Sequence, residues 1–166
     1  MISSIIIFLS LILDGILTNY LPFMESDLSF FTPLLTITSL VLIYPLYYKK
    51  KKKYLVTVFI LGIIYDLFYT NLLFLDGLIF LSLGFVIEKI YQLFGSSYIK
   101  VIVTILLIII LYELLNVSIF MIFNLVPITI EKIIYKISHS ILLNLIYGEL
   151  IYIVLSIIPK RYSKIN

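Results

Sequence analysis

Cysteine is absent from the 166 residues, and histidine occurs once, as His139. The first absence excludes disulfides, thiol catalysis and cysteine-based metal sites. The second excludes a two-histidine metal centre and leaves a lone ring whose ordinary role is structural. No nucleophile elbow, phosphate-binding loop or metal-ligand spacing occurs anywhere in the chain. Charge is scarce as well, at 13% of residues. These absences predict a protein that is not an enzyme, with no catalytic residues, no metal and no cofactor.

What fills the chain is apolar: 63% of residues are hydrophobic and the mean hydropathy is +1.20. That composition excludes an ordinary soluble domain. At about 20 residues per crossing, the length accommodates about six helices with short links and leaves no room for a soluble catalytic domain. The expectation is an all-α integral membrane protein, one polytopic domain over 1–166 with six transmembrane helices near 2–24, 29–48, 54–72, 75–94, 98–124 and 137–158. The first run lacks a basic leader and a small-residue cleavage site and carries Asp14 at its middle, so it is expected to be a retained span. Residues 129–136 are expected to form a short separate helix at the membrane surface.

Lys49, Lys50, Lys51, Lys52 and Lys53 follow a tyrosine-rich end, Tyr44-Pro45-Leu46-Tyr47-Tyr48. Such a run reads as a topology signal beside an aromatic belt; anionic lipid headgroups are its second reading. Nucleic-acid binding does not fit so short a loop. With the N-terminus inside, the five lysines, Lys89, Lys100, Lys160, Arg161 and Lys164 fall in the cytoplasm, and only Lys132 and Lys136 fall outside. Ten bases against two predict both termini cytoplasmic.

Four acids lie inside the apolar runs: Asp14, Asp66, Glu113 and Glu149. Asp66 has no basic residue within twelve positions on either side. A carboxyl group in hydrocarbon is costly, so a chain that keeps one uses it. Gly62 sits one turn before Asp66 on the same helical face and lets a neighbouring helix approach where the carboxyl needs a partner. Asp14 shares a face with Ser10 and Thr18, Glu113 with Asn116 and Asn124, and Ser140, Asn144 and Gly148 recur every four residues. Gly77, Leu81, Gly84, Glu88 and Tyr91 form a stripe suited to close packing. Asp14, Asp66 and Glu113 are expected at one depth, about 18–20 Å from the cytoplasmic ends of their helices. Three readings compete for these residues: a proton or cation path, a solute-binding membrane subunit, and a non-enzymatic assembly protein whose acids bond helices together.

The order of features resembles the MreD family of rod-shape-determining membrane proteins. Asp27-Leu28 opens the second span, Gly62-x-x-x-Asp66-Leu67 closes the third, and Gly77 follows in Asp76-Gly77-Leu78-Ile79-Phe80, with the likeness clearest over 25–95. The resemblance implies a scaffold of the bacterial cell-elongation machinery in the cytoplasmic (inner) membrane, with lipid, an MreC-like bitopic protein, MreB and the RodA–transpeptidase pair as partners. It also implies a fold like that of the six-helix substrate-binding subunits of energy-coupling-factor transporters, which makes a vitamin-binding subunit, or a small proton-coupled transporter, the alternative function. Under either function, Gly62, Asp66, Gly77, Asp14, Glu113, Asn116 and Glu149 are the expected partner-contact or buried polar residues.

Overall fold

The computed structural model of the chain describes residues 2–20, 33–70, 74–94, 97–122 and 130–157. Every regular element among them is helical: α1 (Ile2–Tyr20), α2 (Leu35–Tyr47), α3 (Lys51–Tyr65), α4 (Leu75–Phe94), α5 (Tyr98–Ile122) and α6 (Ile130–Ile157). A wider π-type turn, Asp66–Thr70, continues α3. Among the described residues, three stretches are long and apolar enough to cross a membrane: Leu75–Phe94, Tyr98–Ile119 and Ile133–Ile157. Ile2–Thr18 and Leu35–Tyr47 are apolar but shorter.

Successive helices run antiparallel, and the contacts fix which ends lie together. The Ser3 hydroxyl meets the Tyr47 hydroxyl at 3.3 Å, bringing the start of α1 to the end of α2. Lys51 at the start of α3 pairs with Glu88 near the end of α4 at 3.0 Å. Tyr98, which opens α5, meets Tyr152 near the end of α6 with ring centroids 5.2 Å apart. The lysine-bearing end of the bundle therefore gathers the starts of α1, α3 and α5 and the ends of α2, α4 and α6.

Helix α2 is the hub. Each residue from Leu35 to Pro45 is buried, and the helix packs against all five others. A helix that is apolar all round has no face to give to solvent, and enclosure by its neighbours is how such a helix is stabilised. At 13 residues it is about 20 Å long, so its first turn lies deep inside the bundle. Its middle is held by tyrosines: Tyr54 donates to the Leu40 carbonyl and Tyr91 to the Val41 carbonyl, both at 3.1 Å. Tyr44 is fully buried between those two rings, with centroids at 4.9 and 5.0 Å. The expected aromatic belt is thus partly an internal cluster: Tyr48 is exposed, while Tyr44 packs inward because α2 is surrounded.

Helices α3 and α4 form the closest pair, along the glycine stripe. Gly77 faces Ile63, and Gly84 faces Val58 and Leu55. The sixth helix departs from expectation. It runs unbroken from Ile130, so 130–136 is its first part and not a separate surface helix. No proline or glycine occurs between Ile130 and Gly148 to interrupt the hydrogen-bond ladder. Asp27-Leu28 and Asn124 lie outside the described residues, as do Lys160, Arg161 and Lys164.

Two glycines separate packing against backbone from packing against side chains. A Cβ on Gly62 would stand 2.5 Å from the Asp76 carbonyl oxygen and 2.6 Å from Gly77 Cα. On Gly148 it would meet Ile105 Cδ1 at 2.9 Å and Thr38 Cγ2 at 3.3 Å, the ends of movable side chains. Gly62→Ala is expected to cost about 1–3 kcal/mol, because α4 must shift as a body. Gly148→Ala should be near neutral, since the helix-propensity gain of about 1 kcal/mol offsets a small repacking. The fraction of each variant remaining monodisperse in detergent after stepwise heating checks both; equal losses would show that the α3–α4 approach is not governed by Gly62.

Candidate functional site

In hydrocarbon no water satisfies the free N–H groups at the start of a helix, and each one left bare costs several kcal/mol. Two helices of this bundle begin inside it, and side chains of other helices serve both starts. At α2, the Leu35 N–H donates to Asp14 Oδ1 at 2.7 Å and the Thr36 N–H to Asp14 Oδ2 at 2.8 Å. One residue earlier, the Leu34 N–H donates to Asn144 Oδ1 of α6 at 2.9 Å. At α4, the Asp76 N–H donates to Asp66 Oδ1 at 2.9 Å and the Gly77 N–H to Asp66 Oδ2 at 3.1 Å. Asp14, Asp66 and Asn144 are all at most 1% exposed. Each carboxyl group faces the positive pole of a helix dipole and accepts a backbone N–H on each oxygen, which compensates its burial.

The Gly62–Asp66 spacing creates the second cap. Residues four apart share a helix face, so the glycine lets the backbone of Asp76 and Gly77 lie against α3 directly below the carboxylate. Phe74 turns the chain into α4 with φ 70°, a left-handed conformation unusual for a bulky residue.

Further bonds join these caps into a belt. Tyr112 of α5 donates to Asp76 Oδ1 at 3.3 Å, and its neighbour Glu113 accepts from the Ser140 hydroxyl of α6 at 3.2 Å. Asn144 donates to the Ser140 carbonyl at 2.6 Å while accepting from α2. The hydroxyls of Ser10 on α1 and Tyr147 on α6 meet at 2.5 Å. Tyr69, in the π-type turn, donates to the Leu11 carbonyl of α1 at 2.6 Å, with its ring over Gly15. The bonds close a circuit through α1, α3, α4, α5 and α6 around α2. Counting along each helix from the lysine-bearing end, Asp14, Asp66 and Glu113 lie about 18–23 Å in.

Asp14, Asp66, Gly62, Gly77, Glu113 and Asn116 all lie in the interior. Glu149 does not: it is exposed on α6, where Tyr98 donates to its Oε1 at 3.0 Å. The helical phase explains this, because Glu149 follows the inward-facing Gly148 by one residue, a rotation of about 100°. Lys51 is committed to Glu88, which also accepts from Gln92 at 2.7 Å, whereas Lys49, Lys50, Lys52 and Lys53 project outward. His139 bonds within its own helix, with Nδ1 at 2.8 Å from the Tyr135 carbonyl. Asp76, Tyr112, Tyr147 and Tyr69 belong to the belt although the sequence did not single out their bonding. The one available signal was Asp76 in the first turn of a helix, where an acid favours the dipole. Among the described residues, no group of three or more His, Cys, Asp or Glu side chains is arranged to hold a metal. The chemistry of this belt is hydrogen-bond acceptance between helices.

Asp66→Leu and Asp14→Leu each strand two buried N–H groups and are expected to destabilise the fold by about 2–6 kcal/mol, at about 1–3 kcal/mol per group. Asp66→Asn, which keeps one acceptor, should lose about half as much, and the exposed Glu149→Gln should leave stability unchanged. Thermal unfolding of the four purified variants, followed by loss of monodispersity, gives the ranking.

Comparison with known proteins bears on the same residues. The family model described as rod shape-determining protein MreD matches residues 1–162, a stretch that contains every member of the belt. No curated protein and no solved structure gives a significant match. A match over nearly the whole chain, on an all-helical bundle with helices able to cross a membrane, identifies this chain as a member of the MreD family of rod shape-determining membrane proteins.

Proposed function

We infer that the chain is a non-catalytic scaffold of the cell-elongation complex that builds peptidoglycan, working with an MreC-like bitopic protein and, through it, with MreB and the RodA–transpeptidase pair. The observation that carries this reading is the family match over 1–162. The belt supports it, because its acids are engaged in tying helix to helix, as a rigid mounting for other membrane proteins requires. In this reading the bundle sits in the bacterial cytoplasmic membrane with six crossings and both termini cytoplasmic, an arrangement like that of the substrate-binding subunits of energy-coupling-factor transporters. The lysine-bearing end faces the cytoplasm, in keeping with the positive-inside rule.

Two outcomes test the reading. Co-expressed with the MreC-like protein of the same genome, the tagged chain should retain it through purification. Asp66→Leu, which loosens the bundle that carries the partner, should retain less of it, and a wild-type chain that retains none would overturn the scaffold reading. Because the chain has no cysteine, single cysteines report sidedness directly. In intact cells, cysteines at Lys50 and Ser97 should resist a membrane-impermeant maleimide and one at Glu131 should react; the reverse pattern would invert the topology.

A further inference from the structure

Of the acids within the apolar runs, Glu149 alone faces outward, and that position is unexplained by the belt. It interrupts an exposed apolar stripe of α6 made by Leu142, Ile146, Leu150 and Ile153. It borders a shallow groove between α5 and α6, lined by Tyr98, Ile102, Ile105, Leu145 and Tyr152. The groove lies toward the lysine-bearing end, beside Tyr98 at the start of α5, with Glu149 eight residues before Ile157, about 12 Å along the helix. Tyr98 holds the carboxylate from one side, through Oε1, and Tyr152 backs the Tyr98 ring. Among the described residues, Oε2 receives no bond and no lysine or arginine lies within 4 Å of the group.

A carboxylate fixed in position on an apolar, outward face is costly in lipid, and a second donor beside the one Tyr98 gives lowers that cost. We propose that the α5–α6 groove docks a single membrane-spanning helix of a partner protein, with a Lys or Arg at the end of that helix bonded to Glu149 Oε2. The charge is complementary to what single spans carry at that level, since bases flank them on the cytoplasmic side. The tyrosines give the partner's stem an apolar wall on which a basic side chain can lie while its head reaches the acid. This assignment rests on the scaffold reading and names the surface it uses.

The test is a charge reversal with rescue. The full chain is co-expressed with the MreC-like single-span protein of the same genome, and the retained partner is quantified after purification. Glu149→Lys should lower retention about tenfold while the variant stays monodisperse, and changing the basic residue at the cytoplasmic end of the partner's span to Glu should restore it. A cysteine at Ile153 should crosslink to a cysteine in that span. Undiminished retention by Glu149→Lys would overturn the proposal and leave the scaffold reading standing. So would crosslinking of the Ile153 cysteine to a second copy of the chain. Glu149-dependent retention of phosphatidylethanolamine, with no effect on the partner, would assign the groove to lipid and overturn the proposal too. If the wild-type chain retains no partner, the scaffold reading falls and this surface falls with it.

Discussion

Backbone N–H groups at the start of a helix need acceptors, and in a membrane the solvent supplies none. The architecture follows from how this chain meets that need. Helix α2 begins deep inside the bundle, and its first three available N–H groups are received by Asp14 from α1 and Asn144 from α6. Helix α4 repeats the solution with Asp66. Each acid therefore does two things: it completes a helix that would otherwise be frayed in hydrocarbon, and it fixes that helix against a neighbour at a defined depth. Carboxyl groups that look like liabilities in the sequence are the fasteners of the fold.

The rest of the belt depends on these caps. Asp76 can meet Tyr112 because Asp66 holds the start of α4 in place, and Ser140 can meet Glu113 because Asn144 registers α6 against α2. Glycine matters where backbone meets backbone: Gly62 brings α4 within reach of Asp66, whereas Gly148 only makes room for side chains. Further along α2 the tyrosines take over, with Tyr54 and Tyr91 bonding to the Leu40 and Val41 carbonyls of the enclosed helix. A bundle stitched by its acid caps and by its tyrosines holds its outer faces in fixed relation.

The sequence by itself determined the class of the molecule: all-helical, built for the membrane and carrying a carboxyl group one turn after a glycine at Gly62-x-x-x-Asp66. These features were legible because they are local. Apolar composition, charge clustering and four-residue spacing each act over a turn or two of helix. The tertiary structure decided the partners. Nothing within a turn of Asp14 announces that it receives α2, 21 residues on, and nothing near Asn144 points to Leu34, since both bonds depend on which helix the chain brings alongside. The same distinction separates Glu149 from the other acids. Its neighbours in sequence are as apolar as theirs, and only the packing of α6 against α5 and α2 turned Gly148 inward and left the carboxylate outside. Burial is a property of the assembled bundle, which no single helix carries in its own residues.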